Sequence, residues 1–141
     1  MLDSETIALS ADTLVLRLEE AGQTLLALPE SGHSTRLART GLMWVRDAAE
    51  AYAPGRTRLR PAVPNAGQIT RMDEALGWIP LIPLDKYVLR RVVGARCLVN
   101  PMTGRHLYTW RRLAVAIGAD HKAVQRWHAQ GIKMILAALR G

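Results

Sequence analysis

The segment Tyr108–Trp127 (YTWRRLAVAIGADHKAVQRW) constrains the fold of this chain more than any other. Leu113, Ala114 and Ile117 recur at the spacing of one helical face. Gly118 follows where that helix must end, because glycine takes the left-handed conformation of a helix terminus without steric cost. Asp120 is placed to accept the first N–H groups of a second helix, and its charge suits the positive end of that helix's dipole. Val124 and Trp127 then face back onto the first helix, where the small Ala114 lets two helices cross closely. The pattern predicts a helix-turn-helix, with its first helix at Thr109–Ile117 and its second beginning at His121. His121, Lys122, Gln125 and Arg126 are left on the outside of the second helix, near its N-terminal end.

Those four side chains have the chemistry of base recognition. Such an architecture presents the N-terminal part of its second helix to base edges in the major groove. A glutamine pairs bidentately with adenine and an arginine with guanine, which makes Gln125 and Arg126 the stronger candidates. Lys122 and His121 suit a single base contact or a phosphate. Arg111 and Arg112 on the first helix, with Arg90, Arg91, Arg105 and Lys133, are candidate phosphate contacts that would set register.

Charge is distributed in keeping with this expectation. The 141-residue chain carries a formal net charge of +7. Residues 1–85 hold 8 Lys/Arg and 11 Asp/Glu, a net −3, whereas residues 86–141 hold 11 Lys/Arg and the single acid Asp120, a net +10. A basic half that coincides with the helix-turn-helix is the electrostatic footprint of a nucleic-acid surface. The alternative is a solvated basic face. An apolar fraction of 49% is ordinary for a globular protein, and the four tryptophans and many leucines compensate for the absence of phenylalanine.

Upstream, Leu14, Leu18, Ala21, Leu25 and Leu28 form a helical stripe over Asp12–Leu28, capped by Ser10 or Asp12 and followed by Pro29. The stripe reads as an intramolecular core face, with the seam of a short helical homodimer as the alternative. Glu30–Gly41 reads as a loop and Leu42–Tyr52 as a short helix. Ala53–Gly67 contains three prolines and alternating Arg56, Arg58 and Arg60, so it reads as an extended linker. Its arginines belong to a solvated tether or, alternatively, to an arm on a phosphate backbone or in a minor groove. Gln68–Ile79 reads as a helix. Pro83 can occupy the first position of a further helix over Leu84–Leu98. Val99–Leu107 reads as a connector marked by Asn100-Pro101 and Gly104. Ile132, Ile135, Leu136 and Leu139 are again helically spaced. Gly131 leaves two options: a second motif helix that continues through it, or a break into a separate final helix. The sum is an all-α chain of about six helices, with an N-terminal helical region (1–60), a Pro-rich linker (61–67) and a DNA-binding domain (68–141).

Two resemblances follow from these residues. Pro83-Leu-Asp-Lys-Tyr-Val-Leu, the helix-turn-helix and the Ile132–Leu139 end together resemble region 4 of bacterial sigma factors and the phage late-gene regulators similar to it. Leu18-Glu-Glu-Ala, Leu28-Pro, Met43-Trp44, Glu50-Ala-Tyr, Thr70-Arg-Met-Asp-Glu-Ala-Leu-Gly-Trp78 and the terminal Arg126-Trp127 are similar to a family of small helix-turn-helix proteins of phages, prophages and α-proteobacteria. That resemblance spans about residues 12–141 and departs from the pattern in a longer Val99–Leu107 connector. It implies a phage-type DNA-binding role and supplies no settled activity.

No catalytic constellation emerges. His121 and His128 lie two helical turns apart, roughly 10 Å along the axis, too far to share an ion. Cys97 has no partner at zinc spacing, and no phosphate-cradling Gly-Lys-Ser/Thr loop occurs. Asp73-Glu74 is an isolated acidic pair. A single cysteine excludes an intrachain disulfide, no apolar run reaches the length of a membrane span, and the acidic start lacks the basic residues of a signal peptide. The expectation is a cytoplasmic, sequence-specific binder of double-stranded DNA, without enzymatic activity, metal or cofactor, that regulates transcription. A small terminase-like packaging subunit, or an adaptor meeting RNA polymerase or an acidic phage protein, is the alternative.

Overall fold

The computed structural model describes residues 9–29 and 61–141. Helix α1 (Ala11–Ala27) starts because the Ser10 hydroxyl accepts the Thr13 N–H at 3.2 Å, and it ends at Leu28, whose extended backbone is the conformation favoured before a proline. Its predicted stripe is fully used inside the chain: Leu14, Leu18, Ala21 and Leu25 are buried. The face is therefore a core face within this chain.

Asn65 and Gln68 form a reciprocal capping box at 2.8 and 2.9 Å, which starts α2 (Ala66–Leu76) inside the expected linker. The helix is shorter than the Gln68–Ile79 periodicity suggests. It stops at Gly77, and Pro80 helps turn the next residues into a single 3-10 turn at Ile79–Leu81, with Ile79 still buried. The expected Leu84–Leu98 helix is likewise divided. Pro83 precedes a 3-10 turn at Leu84–Lys86, and α3 runs only from Tyr87 to Arg96. The connector after it is a narrow turn in which Val99 and His106 form one isolated antiparallel bridge. Asn100 organises its tip, accepting the Met102 and Thr103 N–H groups through Oδ1. Helices α4 (Trp110–Ile117) and α5 (His121–Arg140) complete the described chain.

Four of the five helices described share one core. Leu14, Leu18 and Leu25 of α1, Met72 and Leu76 of α2, Leu89 and Val93 of α3, and Ile132 and Ile135 of α5 belong to one buried cluster. A Cβ on Gly22 of α1 would lie 1.9 Å from the Cys97 carbonyl oxygen, so α1 touches the backbone just beyond α3. The described residues on either side of 61–67 thus meet in one core. The prolines there mark where a helix cannot run, and α1 nevertheless joins the same core as α3 and α5. Arg17 and Glu74, 3.6 Å apart, and Arg71 and Glu20, 2.8 Å apart, link α1 to α2 at the surface.

A smaller cluster sits beneath α4. Val92 and Ala95 of α3, Leu113 and Ala114 of α4, and Val124 of α5 are its buried members. Packing decides between the two options at Gly131. Helix α5 is continuous from His121 to Arg140. A Cβ at Gly131 would meet Val93 Cγ2 at 2.8 Å and Ile82 Cδ1 at 3.3 Å, so the glycine is where α3 and the preceding turn come closest to α5. The fold is all-helical, apart from the isolated bridge, among the described residues. The expected loop at Glu30–Gly41, helix at Leu42–Tyr52 and arm at Arg56, Arg58 and Arg60 lie outside them.

Candidate nucleic-acid interface

The local geometry of Tyr108–Trp127 follows from capping. Thr109 Oγ1 accepts the Arg112 N–H at 3.1 Å and starts α4. Gly118 ends it at φ 78° and ψ 38°, the left-handed region, while the N–H groups of Gly118 and Ala119 both reach the Ala114 carbonyl, at 2.8 and 2.9 Å. Asp120 Oδ2 accepts the Lys122 N–H at 3.2 Å and starts α5. Between them α4 and α5 bury Leu113, Ala114 and Val124, and Trp127 is half-buried against both clusters. A three-residue turn thus holds α5 against α4.

The structure divides the basic residues of this half of the chain into two groups. The first is engaged within the protein. Arg90, expected on a phosphate, instead donates from Nε to the Ile82 carbonyl at 2.7 Å and from Nη2 to the Pro80 carbonyl at 2.9 Å, tying α3 to the turn before it. Arg91 is half-buried and has an interaction of its own within the protein. Arg112 remains exposed, but its Nη1 donates to the Leu107 carbonyl at 3.1 Å and its guanidinium lies 5.5 Å over the Tyr108 ring. Arg140 donates to the Leu9 carbonyl at 3.1 Å.

The second group is open. Lys122, Gln125, Arg126 and Lys133 on α5, Arg111 on α4 and Arg105 at the connector tip are exposed. Their side chains make no hydrogen bond or ion pair with any described residue. His121 belongs less clearly with them. It is half-buried, with Nδ1 3.6 Å from Asp120 Oδ1. It forms one end of a shallow groove lined by Arg111, Val115, Gly118 and Ala119, in which Val115 is 85% exposed. Of the ten charged or polar residues expected at the C-terminal site, the structure therefore leaves six open, places His121 at the edge, and commits Arg90, Arg91 and Arg112 to internal contacts.

Behind the open face lies a polar cluster that periodicity does not reveal. Arg96 Nη1 donates to the Tyr108 carbonyl at 2.9 Å, and its guanidinium stacks 4.1 Å over the Trp110 ring. Trp110 meets His128 of α5 edge-on, with ring centroids 5.2 Å apart. His106 Nε2 pairs with Glu19 Oε2 of α1. Burial, then the charges of Arg96 and His106, push the His128 imidazole down to about 4. His128 is thus neutral near neutral pH and supports the packing of α5 from inside. Burial, helped by Glu19, pushes the Cys97 thiol up to about 12, which leaves it a protonated core group and not a nucleophile. No three His, Cys, Asp or Glu side chains gather around a point suited to a metal ion among the described residues. No helix among them is long and apolar enough to cross a membrane.

No family model, curated protein or solved structure matches the chain significantly.

Proposed function

We propose that this chain binds double-stranded DNA sequence-specifically, that α4 and α5 act as a helix-turn-helix, and that the protein works as a phage-type regulator of transcription. One observation carries the reading: Lys122, Gln125 and Arg126 stand exposed, with no hydrogen bond or ion pair to any described residue, at the start of a helix without Asp or Glu, directly after a turn that pins that helix to α4. Polar side chains without internal partners, on a rigid support, are what base-edge recognition requires. Arg111 and Arg105 are the best-placed phosphate contacts, and Arg112 adds charge beside them while bonded to the Leu107 carbonyl.

Titration of labelled duplexes by the purified protein tests the reading. Affinity is expected to fall steeply with salt, since each neutralised phosphate adds about 0.9 to the slope of log K against log salt. Arg126→Ala is expected to cost about 1–3 kcal/mol on a selected site and little on random duplex. Absence of binding at low salt overturns DNA binding, and an equal loss on every duplex overturns base reading by Arg126. Mapping of bound genomic fragments separates the biological roles. Enrichment at promoters supports regulation, while one strongly preferred packaging-type site, together with a large ring in solution, replaces it with DNA packaging.

A further inference from the structure

The open face of α5 is longer than its first turn. Lys122, Gln125, Arg126 and Ala129 follow at i, i+3, i+4 and i+7, which places them along one side of the helix. Lys133, four residues further, continues the line. All five are exposed, and the polar ones make no hydrogen bond or ion pair with any described residue. Because α5 is continuous through Gly131, the line does not break after Gln130. It ends before Arg140, which is held to the Leu9 carbonyl. At 1.5 Å per residue the distance from Lys122 to Lys133 is about 16 Å, or about five base pairs at 3.4 Å each. The nearest acid in sequence is Asp120, which is occupied as the helix cap.

Ala129 is the one apolar side chain on this line, and it sits between Arg126 and Lys133. An alanine there brings the helix backbone closer to an opposing surface than any longer side chain would allow. In the major groove the apolar feature available to such a methyl group is the C5-methyl of thymine.

Resting on the DNA-binding reading above, we propose that α5 lies lengthwise in the major groove instead of meeting it with its first turn alone. Lys122, Gln125 and Arg126 take base edges, Ala129 packs on a thymine methyl and so selects a T·A pair, and Lys133 holds a phosphate at the far end. An acidic protein surface would satisfy the lysines and Arg126 equally well but would not discriminate at Ala129.

The test begins with duplexes selected from a random pool by the full-length protein. Each thymine of the tightest duplex is then replaced in turn by uracil, which removes only the methyl group. At one position the wild-type protein is expected to bind about three- to tenfold more weakly. Ala129→Leu is expected to lose about tenfold or more on the selected duplex, to change little on random duplex, and to be indifferent to the uracil replacement. Lys133→Ala is expected to lower the salt slope by about one. Both substitutions are at exposed positions, and circular dichroism and melting check that the fold is kept. The uracil series needs no variant at all. If uracil is tolerated at every position and Ala129→Leu binds like wild type, the lengthwise placement is overturned while DNA binding stands. If the wild-type protein enriches no duplex, DNA binding falls and this inference falls with it.

Discussion

The two halves of α5 make opposite use of the same helix. Its C-terminal half gives Gly131, Ile132, Ile135 and Leu136 to the interior, where they meet α1 and α3 in the larger core. Its N-terminal half buries only Val124 and leans on a small cluster and on the Arg96–Trp110–His128 stack, while Lys122, Gln125 and Arg126 stay in solvent. A rigid rod anchored at one end can present polar side chains at the other without committing them to internal contacts. Gly131 lets the continuous helix pack closely on α3, and the anchored half carries the hydrophobic burial that holds the open half in place.

Core truncations probe this division most directly. Ile135 is completely buried in the larger core, and Ile135→Ala is expected to cost about 2–5 kcal/mol of global stability in urea unfolding. Val124→Ala removes two buried methyl groups from the smaller cluster, worth about 1–2 kcal/mol. At temperatures where both variants remain folded, the ranking should reverse for DNA affinity: Val124→Ala loosens the seating of the open half on α4, whereas Ile135→Ala leaves it in place. Equal effects of the two on affinity would dissolve the distinction between the halves.

Acid attacks the two halves unequally. The folded protein holds His128 neutral down to about pH 4, whereas an unfolded chain takes up that proton near pH 6.5. Between those values the unfolded state binds more protons, so the stability contributed by neutral His128 is complete above about pH 6.5 and is lost as pH falls toward 4. The contribution is on the order of 3 kcal/mol. His128→Asn is expected to flatten the difference in stability between about pH 7 and pH 4.5 relative to wild type, measured by urea unfolding at each pH. Hydrogen exchange in acid locates the effect: loss of protection should start in residues 121–130 and not in Ile132–Leu139.

The parts of this architecture visible in the sequence are those encoded locally. Gly118, Asp120 and the spacing of Leu113, Val124 and Trp127 lie within one short segment, and each acts on residues a turn away. The α1 stripe is equally plain, though its partner is not. Nothing near Gly22 announces that the Cys97 carbonyl will pass against it, and Glu19 is 87 residues from His106. The arginines are the hardest to sort. Arg90, Arg91 and Arg126 look alike as basic residues on helices, yet Arg90 is committed by two carbonyls eight and ten residues upstream that only the 3-10 turn brings within reach. Periodicity overruns the ends of helices where proline changes their geometry: Ile79 keeps its place in the core after α-helical winding has stopped at Leu76.

An effect no larger than that of Val124→Ala concerns the joint between α4 and α5. Gly118 holds φ at 78° with no atom within 4 Å of where a Cβ would be, so an alanine there meets no steric obstacle from its surroundings. The cost is that of the backbone alone, about 1–2 kcal/mol for a left-handed alanine. Asparagine tolerates that conformation better, so Gly118→Asn is expected to recover part of the loss. The pair separates two ways in which the turn contributes to binding. If Gly118 acts only through stability, DNA affinity under strongly folding conditions is unchanged in both variants. If relief of the left-handed strain rotates α5 on α4, Gly118→Ala is expected to lower affinity for the selected duplex while Gly118→Asn keeps it, because that angle sets the spacing of Arg111 and Arg126.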